Sequence, residues 1–301
     1  MTEMDKHAYL IICHSNPEIL RRLLELLDDD RNDIFIHVDA KVGDFDPQAF
    51  RRHVSHAAVT FIKRRSVQWG SWRFIETEMD LLKAATATEH AAYHLLSGVD
   101  LPLKTQDEIH RFFRDHPHTD YYDIDRRAEA DRSFLRRIDG FYLFQDFRGR
   151  NKTGLYPVLW KLDAGGRKIM KCLGFSRIRG REAYFHKGIN WFSITHELAC
   201  YLVANMAQIR HDYRWTYCAD EIFLPSMALN SPFAGQCAND GLRCIDWVRG
   251  QPYVFRAADY DALIASKDLF ARKFDWQTDP VIIERLYRHI KDAQGVTEQK
   301  N

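Results

Sequence analysis

Two adjacent carboxylates at the start of a predicted helix are the most direct catalytic signal in the sequence. Asp220 and Glu221 open the helical pattern of "CADEIFLPSMAL". Neighbouring side chains on a helix point in different directions, so one carboxylate can serve the helix while the other faces a cleft. The residues alone leave two interpretations open: a carboxylate that accepts a proton during catalysis, or acidic residues that complement the helix dipole.

Two other segments carry charged side chains that suit an anionic ligand. "LFARKFD" places Arg272 and Lys273 beside two phenylalanines. This pattern is typical of a partly buried anion site, and equally of surface cations whose stems pack on apolar groups. "SGVDLPLKT" (97–105) supplies Asp100 and Lys104 directly after an apolar run. The loop has neither the P-loop nor the GxGxxG pattern, and Asp100 alternatively caps a turn, with Thr105 capping the helix that follows.

Metal-binding patterns are weak in this sequence. "DID" at 123–125 has the acid-x-acid form that can hold a divalent ion, but three-residue matches arise often by chance. Among the 14 histidines, the nearest pairings are His37 with Asp39 and His116 with His118. No HExxH motif and no Cys/His quartet occurs. We therefore predict no metal site.

The first hundred residues alternate between strand and helix patterns. Apolar, β-rich runs predict strands at 8–13, 33–39, 58–63 and 91–96. Asn16 as N-cap and Pro17 at the first position are expected to begin a helix after the first strand. A second, long amphipathic helix is predicted over 72–87. This alternation predicts an α/β fold with a doubly wound, mostly parallel sheet.

Polar and aromatic side chains follow the predicted strands where each strand ends. His14, Asp39 and Trp69 lie in three such loops, and the 97–105 loop is a fourth. Ligands of open parallel sheets bind at the carboxyl ends of the strands, so these loops are expected to converge. Asp39 can accept hydrogen bonds from a ribose or base, or cap a turn. Trp69 can stack on a ring or belong to the core.

The second half of the chain is less regular. A dense basic stretch at 126–187 is expected to form a solvated face. Order returns with a predicted strand at 188–195 and a helix at 196–208, and the chain closes with a helix at 279–292. We find no linker or internal repeat. The prediction is a single domain over residues 1–301, with a nucleotide-binding half at about 6–125 and an insertion-rich acceptor half at about 126–295.

Composition excludes several classes of protein. The 301 residues carry a formal net charge of +1, which argues against binding to nucleic acid through overall charge. No window reaches the ~18 consecutive apolar residues of a membrane span. The six cysteines form no CxxC pair and are interpreted as reduced thiols. We expect a cytoplasmic protein.

Taken in order, these segments resemble the core-2/I-branching β-1,6-N-acetylglucosaminyltransferases and peptide O-xylosyltransferases. The matching stretches, from about residue 8 to 275, are "AYLIICHSNPEILRRLLELL", "IFIHVDAK", "VQWGSW", "YHLLSGVDLPLKT", "KGINWFSITHEL", "ADEIFLPSMALNSP" and "LFARKFD". The resemblance implies a GT-A-type glycosyltransferase fold and an inverting transfer of GlcNAc or xylose from a UDP-sugar. It also implies catalysis without a divalent metal or other cofactor.

The resemblance assigns roles to particular residues. Glu221 falls on the family's general base, and Lys273 falls on its phosphate-binding lysine. Arg249 is the nearest match to a second phosphate-binding cation, although the intervening segment is shorter here. The remaining donor contacts map onto His14, Asp39, Trp69, Asp100, Lys104 and Arg272. The acceptor side maps onto Trp191, Trp247 and Asp220.

The chain also departs from the family's animal members, which are Golgi proteins with a membrane anchor and disulfides. It starts at the first strand, so we expect a short cytoplasmic member of bacterial type. Its acceptor is then expected to be a polysaccharide or lipid-linked glycan, with peripheral association at the inner face of the membrane left open, as is the oligomeric state. The alternative function is a non-catalytic protein that binds a nucleotide sugar or a glycan on the same fold.

Overall fold

The computed structural model describes the backbone of residues 6–298 and the side chains of residues 6–295. The strands are β1 (His7–Cys13), β2 (Asn32–Val38), β3 (Ala58–Phe61), β4 (Ala92–Ser97), β5 (Leu101–Pro102), β6 (Tyr121–Ile124), β7 (Gly188–Ile194), β8 (Arg243–Ile245) and β9 (Phe270–Arg272). The helices are α1 (Pro17–Leu26), α2 (Pro47–Arg51), α3 (Trp72–Ala85), α4 (Gln106–Asp115), α5 (Arg126–Asp131), α6 (Gln145–Arg148), α7 (Tyr156–Cys172), α8 (His196–Ala204), α9 (Met206–Tyr213), α10 (Asp220–Leu229), α11 (Tyr260–Ile264) and α12 (Pro280–Glu298).

The central sheet has the strand order β3-β2-β1-β4-β7-β6. β1 pairs in parallel with β2 and β4, and β2 pairs in parallel with β3. β7 runs antiparallel to both β4 and β6. The sheet is therefore mostly parallel, which confirms the predicted α/β class, and the antiparallel β7 is the feature that the sequence pattern did not reveal.

Both faces of the sheet are covered, and β1 shows why. Tyr9 and Ile11 point into one core with α1 and α12, while Leu10 and Ile12 point into the other with α3 and α10. All four side chains are at most 3% exposed. Burial of a side chain of this size contributes roughly 1.5–3 kcal/mol, so continuous apolar runs are what a strand covered on both faces requires.

Local signals in the sequence agree with some element ends and not with others. Thr105 caps α4 in a reciprocal capping box with Glu108, as expected. Asn16 precedes α1 but adopts a left-handed conformation (φ 56°) without capping through its side chain. The amide oxygen of Asn16 instead accepts a hydrogen bond from the backbone of Trp276. The predicted helix at 196–208 is broken into α8 and α9 at Asn205.

A second, small sheet joins distant parts of the chain. Its order is β5-β9-β8, with β9 antiparallel to β5 and parallel to β8. Leu101 pairs with Ala271, and Ile245 pairs with Arg272. The loop after β4 is thereby held against the segment "LFARKFD" from near the end of the chain.

The basic stretch at 126–187 lies between β6 and β7 and contains the helices α5, α6 and α7, separated by segments outside them. Across residues 6–298, no helix combines the length and apolar character that a membrane crossing requires.

Candidate active site

A cavity of about 590 Å³ lies at the carboxyl edge of the central sheet. The end of β6, the start of β7 and the first turn of α10 form its walls. Glu221 and Trp247 both line it. The family resemblance assigned these two residues the roles of base and acceptor platform, and the structure brings them to one cavity. Trp247 is 53% exposed, so an apolar sugar face can reach its indole ring.

Two cations hold the Glu221 carboxylate at the cavity wall. Glu221 Oε2 lies 2.7 Å from Arg137 Nη1 and 3.7 Å from Lys187 Nζ. The Glu221 side chain remains 35% exposed. The carboxylate is therefore oriented by ion pairs and still accessible to a ligand in the cavity.

A pair of acidic side chains lies behind Glu221. Oδ1 of Asp220 is buried and has no hydrogen-bond partner among the described residues. Burial, with the nearby charge of Glu221, raises the pKa of Asp220 to about 7. Glu78 of α3 is fully buried, and this burial, with a further contribution from Asp220, raises its pKa well above the ordinary value. The side chain of Asn190 opposes part of the Glu78 shift. Of the two adjacent carboxylates at the start of α10, Glu221 is the one that faces the cavity.

The loop that carries Trp69 is attached to the start of α10. Cys218 N donates a hydrogen bond to Gly70 O at 3.0 Å. Gly70 has φ +67°, and a Cβ there would lie 2.7 Å from Cys218 Sγ, so the contact requires glycine. Trp69 packs edge-on against Tyr217, and the guanidinium of Arg150 lies 3.6 Å from its ring centroid. Trp69 is thus covered by a cation on one side and 42% exposed overall.

Asp100 and Arg272 form an ion pair at the end of β4. Asp100 Oδ1 lies 2.8 Å from Arg272 Nη1, and Asp100 Oδ2 accepts a hydrogen bond from Ser97 N at 2.7 Å. Arg272 also donates to the Ser97 hydroxyl. Its guanidinium lies 4.2 Å from the ring centroid of Trp191. Asp100 is only 1% exposed, so its carboxylate orients Arg272 and makes the local turn, rather than facing solvent.

Further predicted donor residues surround this ion pair. Desolvation of the imidazole lowers the pKa of His14, and the charge of Arg272 adds to this effect while Asp39 opposes it. The charges of Lys273 and Lys41 also lower the pKa of His14, by smaller amounts than Arg272 does. These couplings place a group of cations around His14 at the ends of β1, β2 and β9.

Asp39 is buried and holds two loops together. Its Oδ1 accepts a hydrogen bond from Lys41 N at 2.8 Å, and its Oδ2 accepts one from Val67 N at 3.3 Å. This geometry matches the turn-capping alternative for Asp39. A contact between Asp39 and a ribose stays a prediction.

Arg243 connects the cavity to the Asp100 group. It is 8% exposed and donates to Ser193 Oγ and to three backbone carbonyls. Burial lowers its pKa to about 10, and the charges of Asp100 and Asp123 oppose the shift. Arg243 therefore lines the cavity and also donates to the backbone of β4, the strand that leads to the Asp100 loop.

Two residues that were predicted to contact the sugar donor, Lys104 and Arg249, lie outside both the cavity and the cluster around Asp100 and Arg272. Lys104 donates to Ser266 O at 2.6 Å. Arg249 forms ion pairs with Asp246 and Asp259. Their predicted contacts with a phosphate stay predictions, and Arg272 is the arginine that the structure places in the loop cluster with Asp100.

In the acid-x-acid segment at 123–125, the carboxylate of Asp125 already binds groups of the protein. Asp125 accepts hydrogen bonds from the first turn of α5 and from Lys187 Nζ at 2.9 Å. Burial raises the pKa of Asp123, and Asp240 adds to this. Within residues 6–295, no group of three or more His, Cys, Asp or Glu side chains has the arrangement of a metal site.

Another cavity, of about 470 Å³, opens beside the amino ends of the strands and is lined by His7, His90, His110 and His196 among others. It lies at the edge of the sheet opposite to Glu221. The residues predicted from the strand-end loops do not line it, so this cavity is separate from the one that contains Glu221 and Trp247.

Comparison with known proteins identifies the family. The family model for the Core-2/I-Branching enzyme matches residues 7–265. This chain belongs to that family. The resemblance seen in the sequence is thereby confirmed, and the matched range contains Glu221, Trp247 and Asp100 but ends before Arg272.

The similar proteins are distant in sequence. Xylosyltransferase 2 of Rattus norvegicus is 22% identical over 311 residues, which cover 94% of this chain and 33% of that protein. The beta-1,3-galactosyl-O-glycosyl-glycoprotein beta-1,6-N-acetylglucosaminyltransferase of Homo sapiens is 24% identical over 321 residues, which cover 94% of this chain and 69% of that protein. This chain therefore spans about a third of xylosyltransferase 2.

Among solved structures, mouse xyloside xylosyltransferase 1 in its apo form has a TM-score of 0.39 and 11% identity. The alignment covers 88% of this chain and 96% of that one.

The sequence did not single out three basic residues of this Core-2/I-Branching site: Arg137, Lys187 and Arg243. Arg137 falls in a basic stretch that resembles a solvated face, and Arg243 lies in a three-residue strand. Lys187 offered the one usable signal, since it begins the matching stretch "KGINWFSITHEL".

The buried Asp220 carboxyl predicts an unusual pH dependence of stability. The folded protein holds this proton up to about pH 7, whereas the unfolded chain releases it near the ordinary value of 3.8. Stability therefore falls as the pH rises through this window, and is not restored above it. Asp220→Asn cannot ionise, so its free energy of unfolding relative to wild type should rise by on the order of 2 kcal/mol from about pH 5 to about pH 8.

Urea denaturation at the two pH values measures this change. The exposed Asp44→Asn is the matched control and should show no such difference. A constant offset between Asp220→Asn and wild type at both pH values would contradict the assignment.

Proposed function

We propose that the protein is an inverting, metal-independent glycosyltransferase that moves GlcNAc or xylose from a UDP-sugar to a hydroxyl of a glycan, polysaccharide or lipid-linked acceptor. The observation that carries the proposal is the placement of Glu221 and Trp247 in one cavity beside a cluster of fixed cations. Membership of the Core-2/I-Branching enzyme family and the names of the similar proteins support the donor class.

The proposed reaction uses one carboxylate as a base. The acceptor hydroxyl attacks the anomeric carbon while Glu221 takes its proton, and the bond from that carbon to the β-phosphate oxygen breaks. Inversion by a single displacement needs no second, opposed carboxyl group. The exposed ring of Trp247 offers a platform for an acceptor sugar, and the ion pairs to Arg137 and Lys187 hold Glu221 in position.

Departure of UDP develops negative charge on the β-phosphate, which requires fixed positive charge nearby. Arg272 is held by Asp100 and packed over Trp191, so its guanidinium has little freedom to lose on binding an anion. Lys273 follows it directly in the chain. In the proposal these two side chains stabilise the leaving group.

The decisive substitution is Glu221→Gln, which keeps the size of the side chain but removes the base. Transfer should fall by about two to four orders of magnitude, the scale of losing a general base. UDP affinity should change little, because the phosphate-binding cations are intact. The assay measures UDP release from UDP-GlcNAc and UDP-xylose with a screen of glycan acceptors.

Glu197→Gln is the matched control, since Glu197 is exposed in the first turn of α8 at the opposite edge of the sheet. Full activity of Glu221→Gln would exclude Glu221 as the base. A wild-type protein that binds UDP but releases none from either donor would support the alternative of a non-catalytic binding protein.

Arg272→Ala and Lys273→Ala should each weaken UDP binding by roughly tenfold to a hundredfold, the effect of losing a charge-assisted hydrogen bond. Isothermal titration calorimetry with UDP measures this directly. Arg249→Ala is the informative comparison, because Arg249 is engaged by Asp246 and Asp259 and should have little effect. If Arg249→Ala weakens UDP and Arg272→Ala does not, the second phosphate-binding cation is Arg249.

Transfer should continue undiminished in excess EDTA. The physical reason is that Arg272 and Lys273 supply the positive charge that a divalent ion would otherwise provide. The measurement is the initial rate with and without chelator. Loss of activity that Mn²⁺ restores would instead assign a metal to Asp123 and Asp125.

A further inference from the structure

The helix α7 and its two flanking cap residues, Leu155 and Leu173, display a row of large apolar side chains to solvent. Exposed fractions are 76% for Leu155, 52% for Val158, 57% for Leu162, 62% for Ile169 and 80% for Leu173. Successive members are three, four, seven and four residues apart, which puts them on one face of the helix. We call these five residues the α7 stripe. Scattered exposed apolar residues need no explanation, but a contiguous row of this kind marks an interaction site.

The segment around the stripe is strongly basic. Residues 141–181 contain ten Lys and Arg and two Asp, a net charge of +8 in a chain whose total is +1. The remainder of the chain is therefore net negative. Lys161 and Lys168 are exposed and seven residues apart, so they form a second row beside the stripe.

An aliphatic row flanked by lysines is the pattern of a helix that lies in the interface of an anionic bilayer. Its apolar face enters the boundary between headgroups and acyl chains, and its cations meet the lipid phosphates. A second copy of this chain is a poor occupant, because two faces of the same strong positive charge repel. Nucleic acid would be bound by the cations but would leave the aliphatic row exposed.

The stripe is presented from a fixed position next to the active site. Asp163, which follows Leu162 and so lies about 100° around α7 from it, is buried and accepts hydrogen bonds from the backbone of Leu143 and Phe144. Arg167 lies 3.9 Å from the ring centroid of Tyr142, which in turn stacks on Tyr217 at 5.5 Å. Tyr217 is four residues before Glu221, so a surface bound by the stripe lies on the same structural unit as the cavity.

We propose that the α7 stripe and its flanking lysines dock the protein on an anionic lipid bilayer. This inference is independent of the chemistry at Glu221, because vesicle binding is measured without any donor or acceptor. It supplies a role for the basic residues of the segment 141–181, which the proposed reaction does not use.

The test is flotation of the full chain with vesicles of phosphatidylcholine alone, or of phosphatidylcholine mixed with phosphatidylglycerol. Binding is expected to the mixed vesicles and to weaken as salt is added. The double variant Leu162→Asp/Ile169→Asp should bind at least about tenfold more weakly, since charged side chains do not enter the interface. Lys161→Glu/Lys168→Glu should lose a similar factor on mixed vesicles.

A matched control changes one exposed apolar and one exposed basic residue elsewhere, Val281→Asp/Lys83→Glu. It should bind as wild type does, and circular dichroism checks that each variant is folded. Equal binding of the stripe variants and wild type would overturn the proposal. So would a wild-type dimer that does not bind mixed vesicles and that the stripe variant dissociates, because the face would then belong to a second copy.

Discussion

The pairing of β9 with β5 is the constraint on which the site depends. It brings Arg272 to Asp100 across 172 positions of sequence, and the parallel partner β8 leads from the same small sheet to Trp247. The Asp100–Arg272 pair is largely buried, and removing one partner of such a pair costs about 3–5 kcal/mol. A local change in this sheet would therefore displace both the cation group and the aromatic wall of the cavity.

The acidic side chains near the cavity differ in charge because they differ in burial. The pKa of Asp220 is raised to about 7 and that of Glu78 lies well above its ordinary value, so these two groups contribute less negative charge than exposed acids would. The partly exposed Glu221 meets Arg137 and Lys187 instead. The same acidic dipeptide thus supplies one group that tends to stay neutral in the protein and one that is paired with cations at the cavity surface.

The parallel half of the fold could be predicted because its strands are long enough to show continuous apolar runs. Its helices also show apolar residues at clear helical spacing. Helix geometry indicated only that Asp220 and Glu221 face different directions, and the family resemblance assigned the role of base to Glu221. The antiparallel β7 and the β5–β9 pairing could not be predicted, since a strand of two or three residues carries no pattern and its partner is remote. Arg137 and Arg243 were missed for a related reason: only tertiary contacts distinguish them from the many other arginines of the chain.

The α7 segment shows that helical apolar spacing does not by itself predict burial. Its apolar spacing is that of a helix with one face in a core, yet Asp163 is the residue of α7 that is buried, while the aliphatic row faces outward. The helix is held by polar and cation–aromatic contacts through Asp163 and Arg167 rather than by its apolar residues. Those contacts leave the aliphatic row exposed, so its burial against an external apolar surface would be favourable. The surrounding positive charge favours a surface that is also negatively charged.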